Sequence, residues 1–358
     1  MASRKPEQRD GLIPRLALCG VLGGCAAARL AGLDAATSVA SAAGRWFGSL
    51  PLNRARVERA CERLTVAMPQ LDAPARRELV LKSYGHLAML AAEVGLLDRI
   101  TGGERWPERV VLGDMEPAVR PLIRREPTVL ITGHIGNWEV LGATMAAMGL
   151  RLHALYRPLD LKPLDAWVRR SRSRMGIDLL DKFGAAETLP NLLSARDPVA
   201  FVADQNAGDR GMFVPFFGRL ASTYKTIGLL AARYEATVLC AAAYRSIESG
   251  GPRYRIEITD AFGPEAYAPQ PDPVFYISAR YRRAIERMVR VAPEQYLWMH
   301  RAWKSRPRHE KKRETFPRRL RERLEALPWM SADDVEAVVE RSDRDAAWMA
   351  ERGVHRLP

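Results

Sequence analysis

From Pro127 onward, short apolar runs alternate with longer amphipathic stretches, and this alternation constrains the fold more than any other feature of the chain. Short apolar runs bounded by turn residues are typical of buried strands, whereas the longer stretches have helical periodicity. The strand-like runs are residues 128–132, 152–156, 199–203, 237–243 and 254–259, and residues 177–180 are a candidate short strand. Because strands that alternate with helices are joined by crossovers, the pattern predicts an α/β fold with a mostly parallel central sheet flanked by helices.

The N-terminal segment contains an uncharged apolar run, residues 16–28, between Arg15 and Arg29. Its 13 residues are fewer than the roughly 20 that a spanning helix needs. A helix lying in the membrane interface is the preferred interpretation. Two others stay open: a secretory signal, in which Cys25 follows a lipoprotein-type cleavage site, and an amphipathic helix of the core.

The segments on either side of the alternating region are predicted to be helical. Residues 12–100 are rich in Ala and Leu, and Asp72 is placed to cap the helix that follows it. The charged stretch after Ser331 is predicted to be a helix that packs on the domain. We therefore divide the chain into a disordered start (1–12), a membrane-associated helical segment (13–50), an α/β domain (51–308) and a basic linker with a helical tail (309–358).

A net charge of +13 favours an acidic partner such as nucleic acid, an anionic membrane, a phosphorylated lipid or an acidic carrier protein. Part of this charge is local, because residues 301–323 contain eleven Lys or Arg and three Glu. A solvated basic helix and a contact with an anionic surface both fit that run. Nucleic acid is not expected as the partner, because few aromatic residues interleave with the basic ones as stacking platforms.

The apolar fraction of 47% permits a sizeable core. The four cysteines show no CxxC spacing and no nearby histidine, so neither a zinc site nor a disulfide framework is expected. This use of cysteine fits a reduced, cytoplasmic setting.

The sequence GHIGNWE at 133–139 holds the residues best placed for chemistry. The strand predicted at 128–132 delivers His134 to the end at which parallel α/β sheets bind ligands. Glu139 would lie in the first turn of the next helix and accept a hydrogen bond from the imidazole. The other ring nitrogen would then be free to deprotonate a substrate hydroxyl. A core histidine beside a helix-capping acid is the alternative interpretation of this spacing.

Four motifs follow one another through the α/β region. They are GHIGNWE at 133–139, YRP at 156–158, ADQ at 203–205 with GMFVPFFG at 211–218 and Thr223, and PEQYLWMHRAWKSRP at 293–307. In this order they resemble the bacterial lipid A biosynthesis acyltransferase family, over residues 12–308. An ordered set is far more specific than any one motif.

The resemblance implies a glycerolipid-acyltransferase-like fold and transfer of a fatty acyl chain from an acyl-carrier-protein thioester, or from acyl-CoA, to a hydroxyl of a lipid A precursor. It implies an enzyme at the cytoplasmic face of the cell inner membrane, with no cofactor and no metal. The short apolar run at the N-terminus favours peripheral or monotopic attachment there. The same chemistry on a phosphatidylinositol mannoside, or on another lysolipid or glycolipid, is an alternative. A non-catalytic basic protein that binds membrane or nucleic acid through residues 301–323 is an alternative from a different class.

Carried over by position, the resemblance makes His134 the general base and Glu139 its partner, with Asp204 as the alternative partner. No covalent acyl-enzyme is implied, and the chain has no GxSxG nucleophile motif. The oxyanion is expected to be bound by backbone amides near Gly136 or by Arg157.

Arg157, Arg172, Asp204 and Gln205 are the candidate substrate contacts, with a solvated basic helix face as the alternative for the arginines. Arginines bind phosphate and carboxylate groups bidentately, which suits an anionic acceptor. The chain departs from the family pattern at Asp160, where Asn is frequent, and this departure leaves the acceptor open. It also has Ala302-Trp303-Lys304 in place of the usual Arg-Phe-Lys, which keeps an aromatic residue and the lysine.

Overall fold

The computed structural model of the protein describes residues 8–246 and 253–357. The α-helices of this part are α1 (Leu12–Ala31), α2 (Leu33–Ser49), α3 (Arg54–Ala67), α4 (Ala73–Val94), α5 (Leu97–Thr101), α6 (Glu116–Ile123), α7 (Trp138–Ala147), α8 (Lys162–Arg174), α9 (Ala185–Ser194), α10 (Lys225–Arg233), α11 (Pro264–Tyr267), α12 (Pro273–Val291), α13 (Arg308–Lys312), α14 (Arg318–Glu325) and α15 (Ala332–Glu351). The strands are β1 (Val110–Leu112), β2 (Thr128–Thr132), β3 (Leu152–Tyr156), β4 (Ile177–Asp181), β5 (Val199–Val202), β6 (Met212–Phe216), β7 (Arg219–Thr223), β8 (Thr237–Ser246) and β9 (Arg253–Phe262).

Seven of these strands form one sheet in the order β1-β9-β8-β2-β5-β3-β4. Neighbouring strands run parallel except for the β8–β9 pair, which is antiparallel. All five residues of the central strand β2 are buried, because helices cover both faces of a parallel sheet. The prediction of a mostly parallel sheet flanked by helices is confirmed.

A separate hairpin, β6–β7, carries the motif at 211–218. Its turn lies at Phe217 and Gly218, whose φ angles of 51° and 67° bring the strands back antiparallel. Neither this hairpin nor β1 was predicted from the sequence. Both β6 and β7 have five residues and β1 only three, and Pro215 within β6 weakens its strand pattern.

Helix α1 is long and apolar enough to cross a membrane, judged by length and composition alone. Its 20 residues extend the uncharged run to include Arg15 and Arg29, and 11% of its most apolar window is buried. That exposure argues against the core-helix interpretation, because a core helix buries its apolar side chains.

The predicted disordered start is corrected in part. Residues 1–7 lie outside the described residues. Arg9, however, donates its backbone N–H to the carbonyl of Asp160 at 2.7 Å and accepts from the N–H of Lys162 at 3.0 Å. Residues 8–11 are therefore attached to the loop before α8, and α1 already begins at Leu12.

The C-terminal helices belong to the same core as the sheet. Val335, Val338 and Met349 of α15 are buried in the main hydrophobic cluster. Asp345 of α15 forms ion pairs with Arg219 of the hairpin and with the fully buried Arg306, whose Nη2 lies 2.8 Å from Asp345 Oδ2. The tail therefore buttresses β6–β7, the position expected for an accessory packing helix.

Candidate active site

The register of the sheet brings two functional side chains together. Thr132, the last residue of β2, is the register partner of Val202, the last residue of β5. His134 and Asp204 each follow two residues later, at the carboxyl ends of adjacent parallel strands. Such ends are where open α/β sheets bind ligands, so both residues lie on the edge of the sheet where chemistry is expected.

His134 and Asp204 form a hydrogen-bonded dyad. Nδ1 of His134 lies 2.7 Å from Oδ1 of Asp204, and with the carboxylate ionised the ring donates this bond. Asp204 is 0% exposed, whereas the His134 side chain is 20% exposed. The imidazole therefore has its tautomer fixed from inside the protein and an edge that reaches the surface.

The expected hydrogen bond from His134 to Glu139 is wrong. Glu139 is buried, and its carboxylate accepts bonds from Arg172 of α8 (Nε to Oε2, 2.8 Å) and from the indole of Trp138 (Nε1 to Oε1, 3.0 Å). The physical reason is that a buried carboxylate needs a cation, and the guanidinium satisfies both of its oxygens. The alternative assignment of Asp204 as the hydrogen-bond partner of His134 has the predicted geometry.

Burial opposes the charged form of each dyad member, and the attraction between them outweighs it. Burial lowers the pKa of His134, but the charge and hydrogen bond of Asp204, with a further contribution from Glu139, raise it above the ordinary value. Burial raises the pKa of Asp204, but His134, Arg282 and His300 hold it well below its usual range. Asp204 therefore stays ionised at neutral pH and supports a protonated imidazole.

The loop that carries His134 is held by backbone bonds. Gly136 has φ +59°, and a Cβ there would collide with the carbonyl oxygen of Ala243, so only glycine fits without rearrangement. The Gly136 N–H donates to the carbonyl of Gln295 at 3.1 Å, and the Asn137 N–H donates to that of Ala243 at 2.7 Å. These two amides are occupied, which corrects the preference for them as oxyanion donors.

A buried polar network lies behind this loop. Asn137 caps α7 through its side-chain oxygen and donates its Nδ2 to Glu93 Oε2 at 2.8 Å. Glu93 is paired with Arg245, and His86 contacts both Arg245 Nη1 and the Gly136 carbonyl at 3.0 Å. No sequence pattern predicted this network, because its members come from α4, the His134 loop and β8.

Comparisons with known proteins identify the family of this chain. The family model described as bacterial lipid A biosynthesis acyltransferase matches residues 5–305. The chain belongs to this family. Its members transfer acyl groups to oxygen, so the chain is an O-acyltransferase of lipid A biosynthesis. This excludes the non-catalytic basic protein considered above.

Two relatives from Escherichia coli K12 illustrate how far the family likeness extends. The chain is 26% identical to a lipid A biosynthesis palmitoleoyltransferase over 266 aligned residues, and this alignment covers 72% of the chain and 81% of the relative. It is 28% identical to a lipid A biosynthesis lauroyltransferase over 251 aligned residues, which are 68% of the chain and 78% of the relative. A lipid A biosynthesis acyltransferase from Shigella flexneri is likewise 26% identical over 266 residues.

The other predicted substrate residues of this acyltransferase differ in availability. Gln205 is half-buried, with Nε2 3.5 Å from the Nε2 of His134. Arg157 is exposed at the end of β3. Arg172 is occupied by Glu139 and lies with its guanidinium carbon 5.0 Å from the centre of the Tyr156 ring. The expectation that Arg172 binds substrate is therefore corrected to an internal role.

Three further residues support the dyad and were not assigned to the site from the sequence. The Trp138 ring packs edge-on against His134 with centroids 4.9 Å apart. Arg282 of α12 is fully buried and donates to the carbonyl of Ala203 at 3.2 Å. His300 accepts the backbone N–H of Asn206 at 3.0 Å, which clamps the loop after β5. Trp138 and His300 lie within motifs at 133–139 and 293–307, which is the signal that could have found them, whereas Arg282 lies in none of the four motifs.

The described residues, 8–246 and 253–357, offer no cluster of metal ligands. No group of three or more His, Cys, Asp or Glu side chains there is arranged to hold an ion. The four cysteines are unpaired. The expectation that the enzyme needs no metal or cofactor remains a prediction.

Proposed function

We propose that the protein transfers a fatty acyl chain from an acyl-carrier-protein thioester to a hydroxyl of a lipid A precursor, with His134 as general base and Asp204 as its partner. The observation that supports it most is the 2.7 Å bond between His134 Nδ1 and Asp204 Oδ1, at the sheet edge of a member of this family. The bond leaves Nε2, on the partly exposed ring, as the proton acceptor.

The reaction needs one proton to move twice. Nε2 of His134 takes the proton of the acceptor hydroxyl as its oxygen attacks the thioester carbonyl carbon. The tetrahedral intermediate then collapses, the carbon–sulfur bond breaks, and the imidazolium returns the proton to the leaving thiolate. Asp204 stays ionised throughout and stabilises the imidazolium, which is the role of a buried carboxylate in such dyads.

The side-chain amide of Gln205 is the proposed donor to the oxyanion. It is the amide that contacts the catalytic nitrogen, at 3.5 Å, and it follows Asp204 directly in the chain. Its backbone is fixed because Asn206 is bound by His300 and by Ser305 (Nδ2 to Oγ, 3.2 Å). A donor held beside the base needs no reorganisation when charge develops on the carbonyl oxygen.

Attachment to the cytoplasmic face of the inner membrane completes the proposal. The donor carries an acyl chain and the acceptor is a membrane lipid. Helix α1 exposes the apolar side chains of Leu12, Ile13 and Leu16 to the surroundings. A largely exposed apolar helix with an arginine near each end suits an anionic membrane surface. Acyl-CoA as donor, and a phosphatidylinositol mannoside or another lysolipid as acceptor, are the alternatives for the same dyad.

Reconstituted transfer, with products identified by mass spectrometry, tests this function. The purified protein in detergent or vesicles is given acyl-carrier-protein thioester or acyl-CoA, and either a lipid A precursor or a lysolipid. We expect a new ester on the lipid A precursor, with acyl-carrier-protein thioester as the better donor. If an ester formed only on the lysolipid, the lysolipid and not the lipid A precursor would be the acceptor. If transfer from acyl-CoA were faster, acyl-CoA would be the donor.

A further inference from the structure

Four neighbouring strands, β2, β5, β3 and β4, end in one row of polar side chains. His134 follows β2, and Asp204 with Gln205 follows β5. Tyr156 and Asp181, the last residues of β3 and β4, are register partners, so Arg157 and Lys182 occupy the next position side by side. By the register of β3 with β5, Arg157 lies level with Ala203, one position before Asp204. The two cations therefore stand at the same edge of the sheet as the dyad, one and two strands beyond Asp204.

Arg157 and Lys182 form a cationic pair whose charge Asp181 balances only in part. Both residues are exposed, and the Arg157 side chain makes no hydrogen bond or ion pair with another described residue. Burial and then the charge of Arg157 lower the pKa of Lys182, while Asp181 partly opposes them. The two like charges raise each other's electrostatic energy, and a bound anion would relieve that repulsion.

The charge of Arg157 also acts on a tyrosine near the dyad. Tyr224 is partly exposed, and its pKa lies above the ordinary value. Burial and the charge of Asp204 raise this pKa, and the charges of Arg282 and Arg157 oppose them. The charges of Asp204 and of Arg157 both act on the Tyr224 hydroxyl, so both groups lie near it. By contrast, Arg172 on the neighbouring helix has its charge satisfied by Glu139.

We propose that Arg157 and Lys182 form a subsite for a phosphoryl group of a substrate that reacts at His134. Arginine binds such a group bidentately, and lysine adds a compact charge beside it. The inference rests on the proposed function for the identity of that substrate. Two sources have this chemistry: a sugar phosphate on the glycolipid acceptor and the phosphodiester of the carrier protein's pantetheine arm.

Binding to the His134→Ala protein tests the subsite without relying on turnover. Affinities are measured for a phosphorylated glycolipid acceptor, for its dephosphorylated form and for holo-acyl-carrier protein. Arg157→Gln and Lys182→Gln are introduced singly and together. Arg151→Gln is the matched control, because Arg151 is an exposed arginine at the opposite end of the same strand.

We expect each subsite variant to weaken binding of the phosphorylated acceptor about tenfold to a hundredfold and to leave the dephosphorylated acceptor unchanged. Loss for holo-carrier protein alone would assign the phosphoryl group to the pantetheine arm. Equal losses for both acceptor forms, no loss for any ligand, or the same loss from Arg151→Gln would overturn the subsite. Absence of transfer by the wild-type protein, with this binding pattern intact, would instead refute the proposed function.

Discussion

At the scale of single residues, strand register selects the carboxylate that serves His134. Thr132 and Val202 are paired in β2 and β5, and the dyad residues follow each of them by two positions. Glu139, five residues after the histidine, instead lies on α7 and is neutralised by Arg172. A neighbour across the sheet is therefore better placed than a neighbour along the chain.

The first prediction concerns Gln205 as oxyanion donor. Gln205→Ala removes the amide beside His134 Nε2, so we expect kcat to fall about 10²- to 10³-fold with little change in either KM. Steady-state kinetics with the concentrations of both substrates varied would measure kcat and each KM separately. The pH at half-maximal rate should not move, because the Asp204 bond is untouched. A raised acceptor KM with an unchanged kcat would make Gln205 an acceptor-binding residue instead.

The sequence predicted which residues meet at the site better than which pairs they form. The motif at 133–139 and the resemblance named His134, Asp204, Gln205 and Arg157, and the structure places all four at one sheet edge. The Glu139–Arg172 pair was missed because it depends on how α8 packs against α7. Spacing along the chain carries no information on such packing.

At the scale of elements, strands with a continuous apolar run were predicted from the sequence, and strands with a weak apolar pattern were missed. Strands β2 and β3 begin and end where the apolar runs do, since buried parallel strands consist of continuous apolar residues. Asp72 caps α4 as expected, accepting the N–H of Ala75 at 2.8 Å. The hairpin β6–β7 was missed because its pairing is specified by a turn at Phe217 and Gly218 and by contacts with the tail.

Membrane attachment by α1 yields the second prediction. Leu12, Ile13 and Leu16 are 73%, 79% and 60% exposed, so replacing all three with Ser removes apolar surface that the fold does not use. We expect weaker co-sedimentation with anionic vesicles, because each side chain loses its transfer into the apolar phase.

A matched control uses exposed apolar residues on other elements. Val111→Ser and Ile123→Ser alter side chains that are 48% and 75% exposed on β1 and α6. These changes should leave vesicle binding intact. Binding that is unaffected by the α1 changes, or reduced as much by the control, would contradict attachment through α1.

At the scale of the whole molecule, the tail is joined to the family fold by buried charges. The family model ends at residue 305, and the next residue, Arg306, is fully buried between Glu310 and Asp345. Other basic residues of the 301–323 run are also paired, including Arg323 with Asp272 at 2.6 Å. Much of the run's charge is thus balanced within the fold, which composition alone does not reveal.

Asp345→Ala is the third prediction. Among the described residues, it leaves Arg306 with one carboxylate partner and Arg219 with none, so we expect the free energy of unfolding to fall by about 3 kcal/mol. Denaturant titration would measure this change, with transfer activity retained below the unfolding transition. Asp343→Ala, at an exposed position of the same helix, should cost less than about 0.5 kcal/mol. Equal effects of the two variants would refute a structural role for the buried cluster.

The pH dependence of transfer tests the central claim most directly. A base must be neutral, so the wild-type rate should rise with pH and reach half its maximum above the ordinary histidine pKa of about 6.5, because Asp204 raises that of His134. Asp204→Asn removes the carboxylate charge that raises the pKa of His134. The burial of His134 remains, and burial lowers that pKa.

The profile of Asp204→Asn should therefore reach half its maximum at lower pH than wild type, with a maximal rate reduced about a thousandfold or more. Glu139→Gln should shift the profile less, because Glu139 contributes less to the pKa of His134 than Asp204 does. An unchanged profile in Asp204→Asn, together with a shifted one in Glu139→Gln, would contradict the account.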